Sequence, residues 1–190
     1  MKLKFLKAAL IGLVLSTSSL FNVANATLIN VALNGTATQS STGWGGSASR
    51  AIDGNTSGLY GNNSVTHTML EDGAWWEVDL GSSFLFTSIV IWNRTDCCHQ
   101  RLNNYKIELF DTNYDYLDGI SSFTAPTPSA TFSPFSASLA QYVRVTLLDE
   151  DYLSLAEVQV FSKVPEPAAL ALLGLGLVGL GLSRRKKAIR

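Results

Sequence analysis

The residues of this chain best placed to do chemistry are His67, Arg94, Asp96 and Arg101, set at fixed distances. Twenty-six residues separate His67 from Arg94, Asp96 follows with one residue between, and four more lead to Arg101. Where Arg94 closes a strand, the period of two puts Asp96 on the same face. The carboxylate can then hold one side of the guanidinium while its remaining donors point at a ligand. Between Asp96 and Arg101 lie two adjacent cysteines, Cys97 and Cys98, the only two in the sequence. Neighbouring Cα atoms are ~3.8 Å apart, closer than the ~4.4–6.8 Å usual for a disulfide, so a ring closed between them is strained. Two outcomes stay open: a vicinal disulfide, which export favours, or thiols held for a metal or a partner cysteine. A closed pair offers a rigid apolar plate. His99 reads as an ordinary surface histidine, and three adjacent ligands at 97–99 are awkward for a tetrahedral zinc site.

A second cluster is Ala51-Ile52-Asp53-Gly54-Asn55, with Ser64 beyond it. Asp and Asn flanking a glycine make a tight turn that can aim oxygens inward, and an all-oxygen set suits Ca²⁺. The same residues also make an everyday turn. Asp149-Glu150-Asp151 is acidic, but consecutive strand residues alternate faces, and a solvated turn explains it. No nucleophile elbow, phosphate loop or metal-catalytic motif is present. Charged residues make up 15% of the chain and form no basic stripe, which excludes a nucleic-acid binder.

The elements that must position these groups are strands. Between 27 and 163 no apolar 3.6-residue period persists, whereas short β-branched and aromatic runs recur between Gly, Asn, Asp and Ser. Strands are expected at 75–80, ended by Gly81-Ser82-Ser83, then at 84–93, 105–110, 142–147 and 156–161. The 124–135 stretch, with three prolines, reads as a loop or an edge. Many short strands predict an all-β sandwich. Trp44, Trp75, Trp76 and Trp92 read as core rather than as a binding platform, although Trp44 sits in a Gly-rich loop that leaves exposure open.

The two ends differ in kind from this middle. Lys2, Lys4 and Lys7, the mainly apolar 8–21 run and Ala24-Asn25-Ala26 have the layout of a secretory signal peptide over 1–26. At the other end, Val164-Pro165-Glu166-Pro167 precedes an uncharged run over 168–182 and the basic Arg184-Arg185-Lys186-Lys187. As a helix that run reaches only ~23 Å, short of the ~30 Å hydrocarbon core, so transient rather than permanent anchoring is expected. Motif, apolar run and basic cluster together resemble the PEP-CTERM sorting signal of Gram-negative bacteria. That resemblance implies processing by an exosortase-type transpeptidase after inner-membrane anchoring, with release to the cell surface or matrix. The chain as a whole has a net charge of −1, but residues 27–163 hold six basic against fourteen acidic side chains, a net −8. The expected domains are therefore a signal peptide at 1–26, a β-sandwich at 27–163 and a sorting segment at 164–190.

The His67, Arg94-x-Asp96 and Arg101 spacing, with Cys97-Cys98 inside it, resembles the sugar-binding signature of the F-type lectins, or fucolectins. The 37–55 stretch and Trp75-Trp76-Glu77-Val78-Asp79-Leu80 resemble the discoidin and galactose-binding-like domains. The resemblance implies a jelly-roll β-sandwich with the sugar site on loops at one end. By position, His67, Arg94 and Arg101 would donate to fucose, Asp96 would orient the arginines, Cys97-Cys98 would pack on the ring and Tyr60 would touch it laterally. A structural Ca²⁺ would take side chains of Asp53, Asn55, Ser64 and Glu157 and carbonyls of Arg50 and Ala156. A second disulfide found in some members would fall at Val65 and Ala156, and is absent here. The expected function is a non-enzymatic, exported, calcium-stabilised lectin for fucosylated glycans. The alternative is an exopolysaccharide-associated structural or adhesion protein that uses the fold for matrix contacts.

Overall fold

In the computed structural model, residues 27–133 and 139–164 are described. The expected signal peptide and almost all of the expected sorting segment, including the 168–182 run, lie outside the described residues. Among the described residues no helix is long and apolar enough to cross a membrane.

The sequence pattern becomes strands β1 (Thr27–Asn30), β2 (Thr36–Gln39), β3 (Trp75–Asn93) and β4 (Tyr105–Phe110), then β5 (Tyr116–Ser122), β6 (Ser129–Phe132), β7 (Leu139–Leu147) and β8 (Leu155–Val164). Every pairing given for β2 to β8 is antiparallel. Alternation decides which side chains are buried: in β4, Tyr105, Ile107 and Leu109 face inward while Lys106, Glu108 and Phe110 face out. Val143, Val145 and Leu147 do the same in β7.

The two strands expected at 75–80 and 84–93 are one 19-residue strand, β3. Gly81 bends the chain at φ +73, its N–H donating to Asp79 Oδ1 at 2.8 Å, but does not reverse it. The register shifts between Asp79 and Phe84. This bulge lets one strand serve two sheets. Its first half pairs with β2 and β7, and β7 continues through β4 to β5. Its second half pairs with β6 and β8, with β1 beyond β8. Trp76, Val78 and Leu80 from one half and Ile89 and Ile91 from the other share a core with Val158 and Val160. That is the jelly-roll β-sandwich expected. The proline-rich stretch contributes an edge, β6. Trp76 is fully buried and satisfies its indole N–H on Ala48 O at 2.9 Å. Trp75 and Trp92 are only half-buried, because they point outward from the same strand.

Candidate functional site

The site forms where β3 ends. Asn93 closes that strand, and its side-chain amide donates to His99 O at 2.9 Å and Pro126 O at 3.1 Å. This pins the loop that carries Arg94 to Arg101. Gly58 packs so closely on Thr95 that an added Cβ would lie 2.5 Å from its Oγ1, and Thr95 N–H donates to Gly58 O at 2.8 Å. Two loops distant in sequence are thereby clamped together.

Arg94 donates from Nε to Asp96 Oδ1 at 2.6 Å and from Nη2 to Oδ2 at 3.4 Å. The same carboxylate accepts the backbone N–H of Cys97 at 2.9 Å and of Tyr60 at 3.2 Å. The Arg94 hydrogen bond holds the Asp96 carboxyl below its ordinary range. Arg94 also lies over the Tyr60 ring, 4.7 Å from its centre. Cys98 takes a left-handed φ of +57, which turns the chain so that Arg101 N–H reaches Cys98 O at 3.0 Å. Arg101 is braced by Asp151 at 3.5 Å and by the face of Tyr152 at 4.5 Å.

His67 comes from the extended Ser64–Thr68 stretch, which is buried throughout. Thr66 N–H and Thr68 N–H donate to Leu155 O and Leu153 O, and the two threonine hydroxyls accept in return from Leu155 N–H and Leu153 N–H. On the other side, Gly43 N–H donates to His67 O and His67 N–H to Gly46 O, at 2.7 and 2.9 Å. The ring Nδ1 lies 2.6 Å from Thr68 O. A carbonyl only accepts, so Nδ1 carries the hydrogen and Nε2 keeps its lone pair in the neutral ring. Burial, and after it the charges of Arg94 and Arg101, lower the His67 pKa below 6.5 despite the opposing Thr68 bond. In that tautomer the neutral ring offers an acceptor beside the two guanidinium groups.

These groups enclose a cleft of about 300 Å³ lined by Trp44, Tyr60, His67, Arg94, Cys97, Cys98, Arg101 and Tyr152. Every expected sugar-site residue except Asp96 lines it, and Asp96 stands behind Arg94. The sequence reading missed Tyr152, whose ring lies 5.3 Å from His67 and 5.4 Å from Trp44. Its one sequence signal was its place directly after the acidic 149–151 turn. Cys97 and Cys98 are free thiols in this structure, not a disulfide. A hydrogen bond with Cys98, then desolvation, raise the Cys97 thiol above its usual range. His99 is exposed, and among the described residues no three His, Cys, Asp or Glu side chains gather as a metal cluster.

The candidate calcium residues lie beside this cleft. Glu157 is fully buried, with Oε1 accepting Gly54 N–H at 3.1 Å and Oε2 without a hydrogen-bond partner. Burial first, then the neighbouring Asp53 charge, push its carboxyl up to about 7. A buried carboxylate oxygen with no donor is what a hard cation satisfies. Asp53 Oδ1 and Asn55 Oδ1 each accept a backbone N–H in their own turn, and Ser64 Oγ faces Ser57 O and Leu59 O at 2.5 and 3.1 Å. The donor set fits a calcium ion completed by amide, hydroxyl and backbone oxygens. Val65 and Ala156 are fully buried on segments joined through Thr66 N–H to Leu155 O, so packing replaces a disulfide there.

Residues 50–145 match the NedA-like galactose-binding domain. Over 143 residues the chain is 36% identical to fucolectin-6 of Anguilla japonica, covering 72% of this chain and 77% of that protein. The chain belongs to the fucolectin family. A fucose binding module of Streptococcus pneumoniae superposes on this chain with a TM-score of 0.68 at 38% identity, over 75% of this chain and 99% of that module. The lectin domain of lectinolysin complexed with Lewis B antigen gives 0.67 at 38% identity, over 72% and 98%. Residues 163–186 match the PEP-CTERM protein-sorting motif.

Proposed function

We propose that this protein binds terminal L-fucose on glycans in its cleft, without converting it. The observation that carries the reading is that Arg94 and Arg101 are each braced from behind by a carboxylate and an aromatic face, beside a neutral His67. A sugar hydroxyl can donate to His67 Nε2 and accept from a guanidinium at once, and vicinal hydroxyls repeat that pattern. Because the arginines are already neutralised, the cleft favours an uncharged ligand over an anion. Asp96 and Asp151 are engaged by arginines, which withdraws them from the paired-carboxylate chemistry of a glycosidase.

The Cys97 and Cys98 thiols, already within hydrogen-bonding reach, are proposed to close as a vicinal disulfide by exchange with a disulfide oxidant of the oxidising compartment, which takes the two electrons and two protons, and so present an apolar wall to the ring. Calcium is proposed to bind through side chains of Asp53, Asn55, Ser64 and Glu157 and carbonyls of Arg50 and Ala156. Bound there, it would supply charge neutralisation for Glu157 and fix the 53–64 loop that carries Tyr60. Export through the 1–26 segment and sorting by an exosortase-type enzyme, with the 168–182 run held transiently in the inner membrane, would place the lectin at the surface or in the matrix of a Gram-negative bacterium.

A glycan array probed with the full chain in calcium tests the reading. Fucosylated glycans are the expected hits, and Arg94→Ala is expected to lose them with stability changed by only about 1 kcal/mol, as for a partly exposed ion pair. An array without fucosylated hits overturns the reading and favours a structural role in an exopolysaccharide matrix.

A further inference from the structure

The cleft accounts for one sugar unit; at about 300 Å³ it sits at the low end for small-molecule sites. A longer glycan must leave it across the rim, and the side chain standing there is Trp44. The residue is 65% exposed, second among the exposed large hydrophobic residues of the described part.

Trp44 is also held unusually firmly. Its φ of +49 lies in the left-handed region that side chains other than glycine, asparagine and aspartate rarely adopt. The loop around it is fixed by Gly46 N–H to Gly43 O at 2.9 Å, Gly43 N–H to His67 O at 2.7 Å and Gln39 Nε2 to Gly46 O at 2.9 Å. The Tyr60 hydroxyl donates to the Trp44 carbonyl at 2.6 Å, tying this loop to the ring beneath Arg94. The indole itself meets Tyr152 edge-on at 5.4 Å and His67 at 4.8 Å. A strained, tethered, solvent-facing indole beside a small pocket exceeds what core packing requires.

Resting on the fucose reading, we propose that Trp44, steadied by Tyr60 and Tyr152, is a second subsite that stacks on the apolar face of the neutral pyranose linked to the terminal sugar. Neutrality follows from the surroundings. Asp151 is already paired with Arg101, but Glu71, bridged to it backbone to backbone, faces only the hydroxyls of Ser40 and Ser41, so a uronic or sialic carboxylate would meet the Glu71 charge. Tyr60 gains a role beyond lateral contact: its hydroxyl positions the platform while its N–H and ring position Asp96 and Arg94.

The test is calorimetric titration of the full chain with L-fucose and with L-fucose α-linked to D-galactose. The disaccharide is expected to bind about three- to tenfold tighter, the increment one ring-face contact supplies. In Trp44→Gly this ratio falls toward one, while the thermal midpoint holds or rises because glycine relieves the positive φ. Tyr60→Phe keeps the ring under Arg94 but frees the loop, and lowers the ratio as well. If L-fucose binds and the ratio survives in Trp44→Gly, the second subsite is wrong and Trp44 serves only packing. If L-fucose does not bind the unaltered chain, the fucose reading fails and this subsite fails with it.

Discussion

Replacing Asp96 by Asn separates holding a sugar from holding the arginine that holds it. The carboxylate takes four donors: two from Arg94, at 2.6 and 3.4 Å, and the backbone N–H groups of Cys97 and Tyr60. Asn offers one acceptor oxygen and turns an NH₂ toward the remaining donors. A hydrogen bond to a charged group is worth about 1.5–3 kcal/mol, reduced here because the Asp96 side chain is 31% exposed, so a stability loss of about 1–2 kcal/mol is expected. Arg94 then enters binding unrestrained. Immobilising a rotamer-rich side chain costs about 0.5–1.5 kcal/mol, and the weakened aim adds about 0.5 kcal/mol. The Kd for L-fucose is therefore expected to rise about 5- to 30-fold in calorimetric titration, against outright loss in Arg94→Ala. The Arg94 hydrogen bond holds the Asp96 carboxyl below its ordinary range, so its contribution to stability is present above that range and lost as pH falls through the folded pKa. In urea unfolding, the difference between Asp96→Asn and the parent should shrink in that acid range. An unchanged Kd alongside lower stability would refute the positioning role, and a loss beyond a hundredfold would mean that Asp96 touches the sugar itself.

Other outcomes are as readily measured. The His67 pKa is lowered by burial and by Arg94 and Arg101, so its contribution to stability is present above 6.5 and lost as pH falls through the folded pKa. L-fucose affinity should follow the same course, since protonation converts the Nε2 acceptor into a donor; affinity that rises on acidification would reverse the tautomer assignment. Gly43→Ala places a Cβ 2.6 Å from Thr68 O and 3.2 Å from His67 Nδ1. It should lower L-fucose affinity more than the ~1–3 kcal/mol it takes from stability would suggest, as read by titration beside thermal unfolding. Chelating calcium should lower the thermal midpoint by about 5–10 °C relative to calcium at a hundredfold excess over its Kd, and Asp53→Ala should abolish that response. An identical midpoint with and without chelator would count against the ion.

Part of the site was legible because its spacing is local. Arg94 and Asp96 are two residues apart at a strand end, so the strand period alone brings them together, and the structure forms that pair. Tyr105 to Phe110 alternates so regularly that its inward face could be read residue by residue. The break at 81–83 misled for an equally physical reason. Gly-Ser-Ser ends a strand in an isolated hairpin, but here the Asp79 carboxylate and a register shift let the chain bend and keep pairing with new neighbours. Tyr116 to Ser122 gave no apolar signal because β5 stands at the sheet edge and none of its residues is fully buried.

The sequence by itself determined the sandwich, the acidic middle and most of the residue types that line the cleft, because alternation, composition and short-range spacing are written along the chain. The tertiary structure alone decided how those residues act. Tyr152 reaches the cleft only because the Leu153–Leu155 backbone pairs with Thr66 and Thr68, 85 or more residues away in the chain. The Thr68 carbonyl made His67 an acceptor, and the Tyr60 hydroxyl turned an exposed Trp44 into a fixed platform. Such roles depend on which atoms of distant segments come within about 3 Å of each other, and no pattern along a single strand encodes that distance.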